Sequence, residues 1–184
     1  MIRRSTMKEI ATDYIRNYRT PAARELAYFK LPRMDEKAIS RAALCLLPSG
    51  KRHSHQRRIP KSVLAETERR LVENAAALRR STSFDELHTL VADLVGPIPG
   101  IGELTVYDIS QRIGSRFDLE PERIYLHSGT RVGARALGFD GRRSSIEVVE
   151  LPRELTKRLS PRELEDLLCI YKDALAERRL IRRP

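Results

Sequence analysis

The stretch VGPIPGIGELTVYDISQRIG, Val95 to Gly114, sets two glycines one residue apart directly after a proline. Gly100 and Gly102 carry no Cβ and can take positive φ, so another molecule can come close to their backbone. Their N–H groups, with those of Glu103 and Leu104, would stand at a helix start. Unpaired donors and the helix dipole both favour an anion there. A phosphate fits, and such a contact positions a protein on a nucleic acid without reading its sequence.

A second group with binding chemistry is GKRHSHQRRIP, Gly50 to Pro60, which has no acid and no apolar period. As a basic loop it would set Lys51, Arg52, Arg57 and Arg58 on phosphates, with His53, His55 or Gln56 reaching a base edge. A merely solvated loop is the alternative. His53 and His55 have no cysteine or carboxylate following at ligand spacing, so no metal is expected. A third group is HSGTR, His127 to Arg131. Gly129 would give close approach and Arg131 the charge of a second phosphate turn. The alternative for His127 is a cap on the helix that follows.

Composition points to the same partner. The chain has 184 residues, with 35 Lys and Arg against 25 Asp and Glu, a formal net charge of +10. Arginine recurs in adjacent pairs, Arg57-Arg58, Arg69-Arg70, Arg79-Arg80 and Arg142-Arg143, and its fork suits phosphate oxygens. At 41% hydrophobic and 33% charged residues, the composition is that of a folded domain. No apolar run nears the ~20 residues of a membrane span, and the start MIRRSTMKEIATDYI has no apolar core of a signal peptide. The expected address is the cytoplasm, at the nucleoid in a prokaryote, with no membrane partner. Cys45 and Cys169 sit among leucines and read as buried free thiols. Neither has zinc or iron–sulfur spacing, so no cofactor is expected.

The elements that must position these groups read as helices. Met7, Ile10, Tyr14, Ile15 and Tyr18 mark an amphipathic first helix. Thr20 as cap and Pro21 at the first position open a second. A third runs from about Asp35 to Leu47 and stops at Pro48-Ser49-Gly50. A single helix is expected over about 60–80, with Leu64, Leu71, Ala75 and Leu78 inside. Ser83 and Glu86 are spaced as a capping box for the next, whose stripe is Leu87, Leu90, Val91 and Leu94. After the glycines, Val106, Ile109 and Ile113 face one side of a short helix ending at Gly114. A short extended or helical piece at Ile124–Leu126, a short helix over Thr130–Leu137 and a short strand at Ile146–Glu150 follow, without a sheet. Ser160, Pro161 and Glu163 cap a last helix that buries Leu164, Leu167, Leu168, Tyr171 and Leu175. The end, ERRLIRRP, reads as a basic tail. The expected fold is all-α, one compact multi-helix domain over residues 1–184.

IPGIGELTVYDI resembles the helix–hairpin–helix motif of DNA-binding proteins, with its Pro-Gly-apolar-Gly turn and a threonine three residues after the second glycine. The resemblance spans roughly Phe84 to Gly114 and implies a double-stranded DNA partner. Such turns occur in small binding modules. They also occur in the all-α helix–hairpin–helix DNA glycosylases, where the hairpin lies mid-chain and a pocket opens between two helical lobes. With about 100 residues before the turn and about 80 after it, this chain is similar to the second group.

What the glycosylase resemblance implies can be set against particular residues. Bifunctional members carry a Schiff-base lysine two residues after the second glycine, where this chain has Leu104. A monofunctional, water-using reaction is therefore implied. Members carry a catalytic aspartate in an apolar-Asp-Thr-His segment before a helix. The corresponding IYLHSGTRVGARALG offers His127 and no aspartate. One helical turn beyond Leu104 stands Asp108, able to stabilise the positive sugar that forms as a base leaves, or to activate water. His127 would assist, Tyr107 would stack on a base held out of the duplex, and Gln111 would touch it. The plainer alternatives are a salt bridge from Asp108 to Arg112 and a core position for Tyr107.

Two functions are thus expected. One is a glycosylase-like hydrolase that leaves an abasic site at a flipped damaged or modified base, in repair or in defence against modified phage DNA. The other is a non-catalytic helix–hairpin–helix DNA-binding protein. An RNA-binding protein or assembly subunit is a third possibility. A monomer is favoured.

Overall fold

The computed structural model describes residues 6–53 and 56–181, with side chains up to Glu177. It is mostly helical, with one small two-stranded sheet among the described residues. Contacts divide the chain, expected as one domain, into two compact units. A middle unit covers Ala22–Pro121, and a terminal unit combines Met1–Pro21 with Glu122–Pro184. No helix among the described residues is long and apolar enough to cross a membrane.

The middle unit takes in most of α2 (Arg19–Lys30), then α3 (Asp35–Ala43), α4 (Lys61–Glu73), α5 (Ala75–Arg79), α6 (Phe84–Val95) and α7 (Glu103–Phe117). Helix α2 starts at Arg19, so Thr20 is not its cap and Pro21 lies in its first turn, where a missing N–H costs nothing. Helix α3 ends short of Leu47. Cys45 takes φ 56, the left-handed conformation that closes a helix. The single helix expected over 60–80 is interrupted at Asn74. Ser83 caps α6 by accepting from the Glu86 N–H, while Glu86 turns to the N–H and hydroxyl of Thr82. Helix α7 runs past Gly114 to Phe117 and stops where Asp118 takes φ 58. Phe29, Ile39, Leu71, Leu78, Leu87, Val91, Val95, Ile109 and Ile113 form the core.

The terminal unit holds α1 (Met7–Asn17), β1 (Arg123–Tyr125), α8 (Ser128–Ala136), β2 (Ser145–Glu147), a 3-10 turn (Val148–Glu150), α9 (Arg153–Thr156), α10 (Pro161–Ile170) and α11 (Lys172–Ile181). The sheet that the sequence left out does form. β1 and β2 pair antiparallel, with the fully buried Ile124 and Ile146 opposite each other. Side-chain burial of that pair is what a three-residue strand needs and cannot show alone. Helix α10 is capped as expected by Ser160, Pro161 and Glu163, but ends at Tyr171 before α11 begins. The last residues of the basic tail lie outside the described residues.

Candidate nucleic-acid interface

The turn between α6 and α7 is made by two short backbone bonds. Ile98 N–H donates to Val95 O and Ile101 N–H to Ile98 O, both at 3.0 Å. The side chains of Ile98 and Ile101 enter the core, which leaves Pro97, Pro99, Gly100 and Gly102 facing outward. Gly100 has φ +96, a conformation that penalises any Cβ. Gly102 differs from the expectation, with φ −110 and ψ 172 as the residue that precedes α7. Its glycine character leaves room instead, because a Cβ there would meet nothing within 4 Å. The first bond into α7 runs from Val106 N–H to Gly102 O, at 3.1 Å. Among the described residues the N–H groups of Gly102 and Leu104 have no acceptor.

The turn lies against the start of α4. A Cβ on Gly100 would sit 3.9 Å from Val63 Cγ1, two residues into that helix from Lys61. The basic loop runs directly into α4, so loop and turn belong to one unit. Lys51, Arg57, Arg58 and Lys61 are exposed. Arg52 is used otherwise than expected, since its Nη1 donates to Ile59 O at 2.8 Å and ties the loop to itself. His53 Nε2 meets Glu25 Oε1 of α2 at 2.6 Å. His55 lies outside the described residues.

Gln56 corrects a sequence expectation. It is fully buried, its Nε2 donates to Asp108 Oδ2 at 2.8 Å, and its Oε1 accepts from Arg112 Nη2 at 3.2 Å. With both ends of the amide engaged, it has no edge for a base. Arg112 is the centre of this cluster. Its Nη2 lies 3.9 Å from Glu25 Oε1 and 3.9 Å from Asp108 Oδ2, and its guanidinium lies 5.5 Å from the centre of the Phe29 ring. Its Nη1 is buried without a partner among the described residues. Burial pushes the nearby Cys45 thiol up, against the opposing pull of Arg112. The Asp108 side chain remains 17% exposed.

Tyr107 is a core residue, the plainer of its two readings. It is 2% exposed, edge-on to Phe84 at 6.1 Å and tilted toward His88 at 6.4 Å. A ring enclosed this way has no face for a base. Gln111 Nε2 donates to the Tyr107 hydroxyl at 2.7 Å, so that amide is occupied as well. Burial holds His88 below the ordinary imidazole range.

The terminal unit places the third group. His127 is 2% exposed, with Nε2 at 2.5 Å from Glu165 Oε1 and its N–H donating to Thr130 Oγ1 at 2.7 Å. A Cβ on Gly129 would come 2.5 Å from Cys169 Sγ, so the close approach there is to α10 and not to a phosphate. Arg131 Nη1 donates to Gly141 O and Arg143 O, both at 2.7 Å. HSGTR is therefore a packing turn, and the three residues foreseen for catalysis are split, Tyr107 and Asp108 in the middle unit and His127 in the terminal one. Glu25 and Glu165 were missed because a lone glutamate in a helix gives no signal until its partner is known. Arg112 was visible as the residue four after Asp108.

No protein-family model, curated protein or solved structure matches the chain.

Proposed function

We propose that the protein binds double-stranded DNA, seating one backbone phosphate on the Gly100–Gly102 turn in the manner of a helix–hairpin–helix motif and neighbouring phosphates on the loop that leads into α4. The observation that carries the reading is the turn itself. Among the described residues the N–H groups of Gly102 and Leu104 stand without an acceptor at the start of a 15-residue helix, and the exposed Gly100 before them lies nearest Val63 of α4, the helix that follows the acid-free loop. The net charge of +10 supplies the long-range attraction. Lys51, Arg57, Arg58 and Lys61 are the cations placed to follow the backbone. Each phosphate neutralised contributes about −0.9 to the slope of log affinity against log salt. Anisotropy of a labelled duplex titrated at several salt concentrations is therefore expected to give a slope of roughly −3 to −4. Duplex RNA serves as competitor. Salt-independent binding, or a clear preference for RNA, would overturn the reading.

A second reading, hydrolysis of the N-glycosidic bond, is supported by the division of the chain. The unit that carries the turn is bracketed in sequence by segments that fold together, in keeping with the two helical lobes of the glycosylases. Asp108, partly exposed one turn beyond Leu104, is then the catalytic carboxylate. As the C1′–N bond breaks, the electron pair and eventually a proton go to the base. Asp108 stabilises the positive sugar, and water adds at C1′ to leave an abasic site. Tyr107 takes no part. The substrate would be a damaged base in repair or a modified base in phage DNA. Duplexes carrying uracil, oxidised, alkylated or phage-type bases, treated with mild alkali after incubation, are expected to break at one kind of base, and Asp108→Asn to abolish the breaks while binding persists. Binding without breaks on any substrate leaves the first reading alone.

A further inference from the structure

Among its described residues, the loop that carries the exposed cations has one fully buried side chain, Gln56. Asp108 can only accept hydrogen bonds and Arg112 can only donate them. A carboxamide offers one donor and one acceptor on a single planar group, and Gln56 uses one toward each, at 2.8 Å and 3.2 Å. The alternative amide orientation would set NH₂ against the guanidinium and oxygen against the carboxylate, so the network itself fixes how the group lies. Gln56 is fully buried, and away from water each bond is electrostatically stronger than at the surface. Asp108 and Arg112 are i and i+4 on α7, so Gln56 registers the loop against one face of that helix. His53 ties the same loop to Glu25, whose Oε1 is also 3.9 Å from Arg112. Arg57 and Arg58 follow Gln56 directly and are exposed.

From this arrangement we infer that Gln56 is the positioning residue of the DNA interface: its buried amide locks the basic loop to α7 and so holds Arg57 and Arg58 just ahead of α4, the helix whose Val63 lies nearest Gly100. The inference rests on the DNA-binding reading. A loop of long cationic side chains that is ordered only on binding loses affinity to that ordering, and a loop held beforehand does not. Gln56 would then govern affinity without touching DNA or carrying charge.

The test is a set of double-mutant cycles read by duplex affinity and its salt slope. Gln56→Leu keeps the volume and removes both bonds. It is expected to lower affinity about tenfold and to flatten the salt slope, although no charge is lost. Arg57→Ala with Arg58→Ala is expected to cost about tenfold in the wild-type chain and less than about twofold on the Gln56→Leu background. Gly102→Asp, which acts at the turn, is expected to cost the same on both backgrounds. If Gln56→Leu does not fold, Gln56→Met serves, since it is uncharged, has the same reach and likewise removes both bonds. The same non-additivity is expected of it. An equal loss from the arginine changes on both backgrounds, or unchanged affinity in a folded Gln56 variant, would overturn the inference while leaving the DNA reading intact. Absence of salt-dependent DNA binding by the wild-type chain would overturn both.

Discussion

Arg112 and Glu25 face each other across 3.9 Å, a guanidinium only 4% exposed on α7 and a carboxylate brought in by α2. Asp108 Oδ2 lies at the same distance from the same nitrogen. One cation thus serves two carboxylates and the oxygen of Gln56. Its removal would take from two partly buried carboxylates, Glu25 and Asp108, the cation they share, a change that costs more than the pair itself contributes. Arg112→Met is expected to destabilise the protein by about 3 kcal/mol in urea unfolding. A loss below about 0.5 kcal/mol, the usual range for a surface substitution, would mean that the cluster is held by packing rather than by charge.

Gly102 allows stability and binding to be moved in opposite directions. It precedes α7 with extended φ and ψ and with open space where a Cβ would go. Aspartate is favoured at such a position, because its carboxylate accepts from the free N–H groups of the first turn. Gly102→Asp is therefore expected to keep or raise thermal stability by a few tenths of a kcal/mol. The same carboxylate would occupy the donors that a phosphate needs and repel the phosphate as well, so duplex affinity is expected to fall about tenfold or more. Calorimetry and anisotropy on one preparation read both effects. Undiminished affinity would remove the turn from the interface.

Local signals in this chain were legible, and long-range ones were not. Ser160-Pro161-Glu163 states its own helix start, and the structure has that cap. Pro97 to Gly102 states its own turn, and α6 and α7 flank it. The break at Asn74, the end of α10 at Tyr171 and the pairing of β1 with β2 depend on what packs where, which periodicity does not carry. The site divides in the same way. The relation of Asp108 to Arg112 follows from helical spacing alone. The burial of Gln56 does not, because the run KRHSHQRR looks uniformly solvated until a carboxylate 52 positions away is known to meet it. Tyr107 and His127 have residue types that suit chemistry at a surface, and the contacts that bury them come from Phe84 and Glu165, at positions nothing local announces.

Gly133 reverses an ordinary rule. Alanine for glycine inside a helix normally stabilises by roughly 0.5–1 kcal/mol. In α8 a Cβ at this position would fall 2.2 Å from Leu168 O and 2.8 Å from Leu168 C, backbone atoms of α10 that have no rotamer to change. Gly133→Ala is expected to push α8 and α10 apart and to destabilise by several times the usual gain, about 2–3 kcal/mol. Thermal unfolding followed by circular dichroism checks it. A rise in midpoint would show that the two helices separate at little cost.

Arg19 and Glu163 give the terminal unit an acid-sensitive tie. Arg19 Nε and Nη2 donate to the two carboxylate oxygens of Glu163 at 2.5 and 2.9 Å. Burial alone would raise the Glu163 carboxyl. The Arg19 bonds and the Ser160 N–H outweigh it and hold the group below its ordinary value of 4.5. As pH falls, the unfolded chain therefore takes up this proton before the folded one does. The stability contributed by the pair is complete above about pH 4.5 and is lost as pH falls through the lower folded-state value. Arg19 is 38% exposed, so solvent screening limits the contribution to about 1 kcal/mol. Arg19→Met is expected to lower the unfolding midpoint at neutral pH and to shrink the further drop on acidification. Unfolding curves of both proteins at neutral pH and at about pH 3 make the comparison, and parallel acid losses in the two would assign the acid sensitivity to other carboxylates.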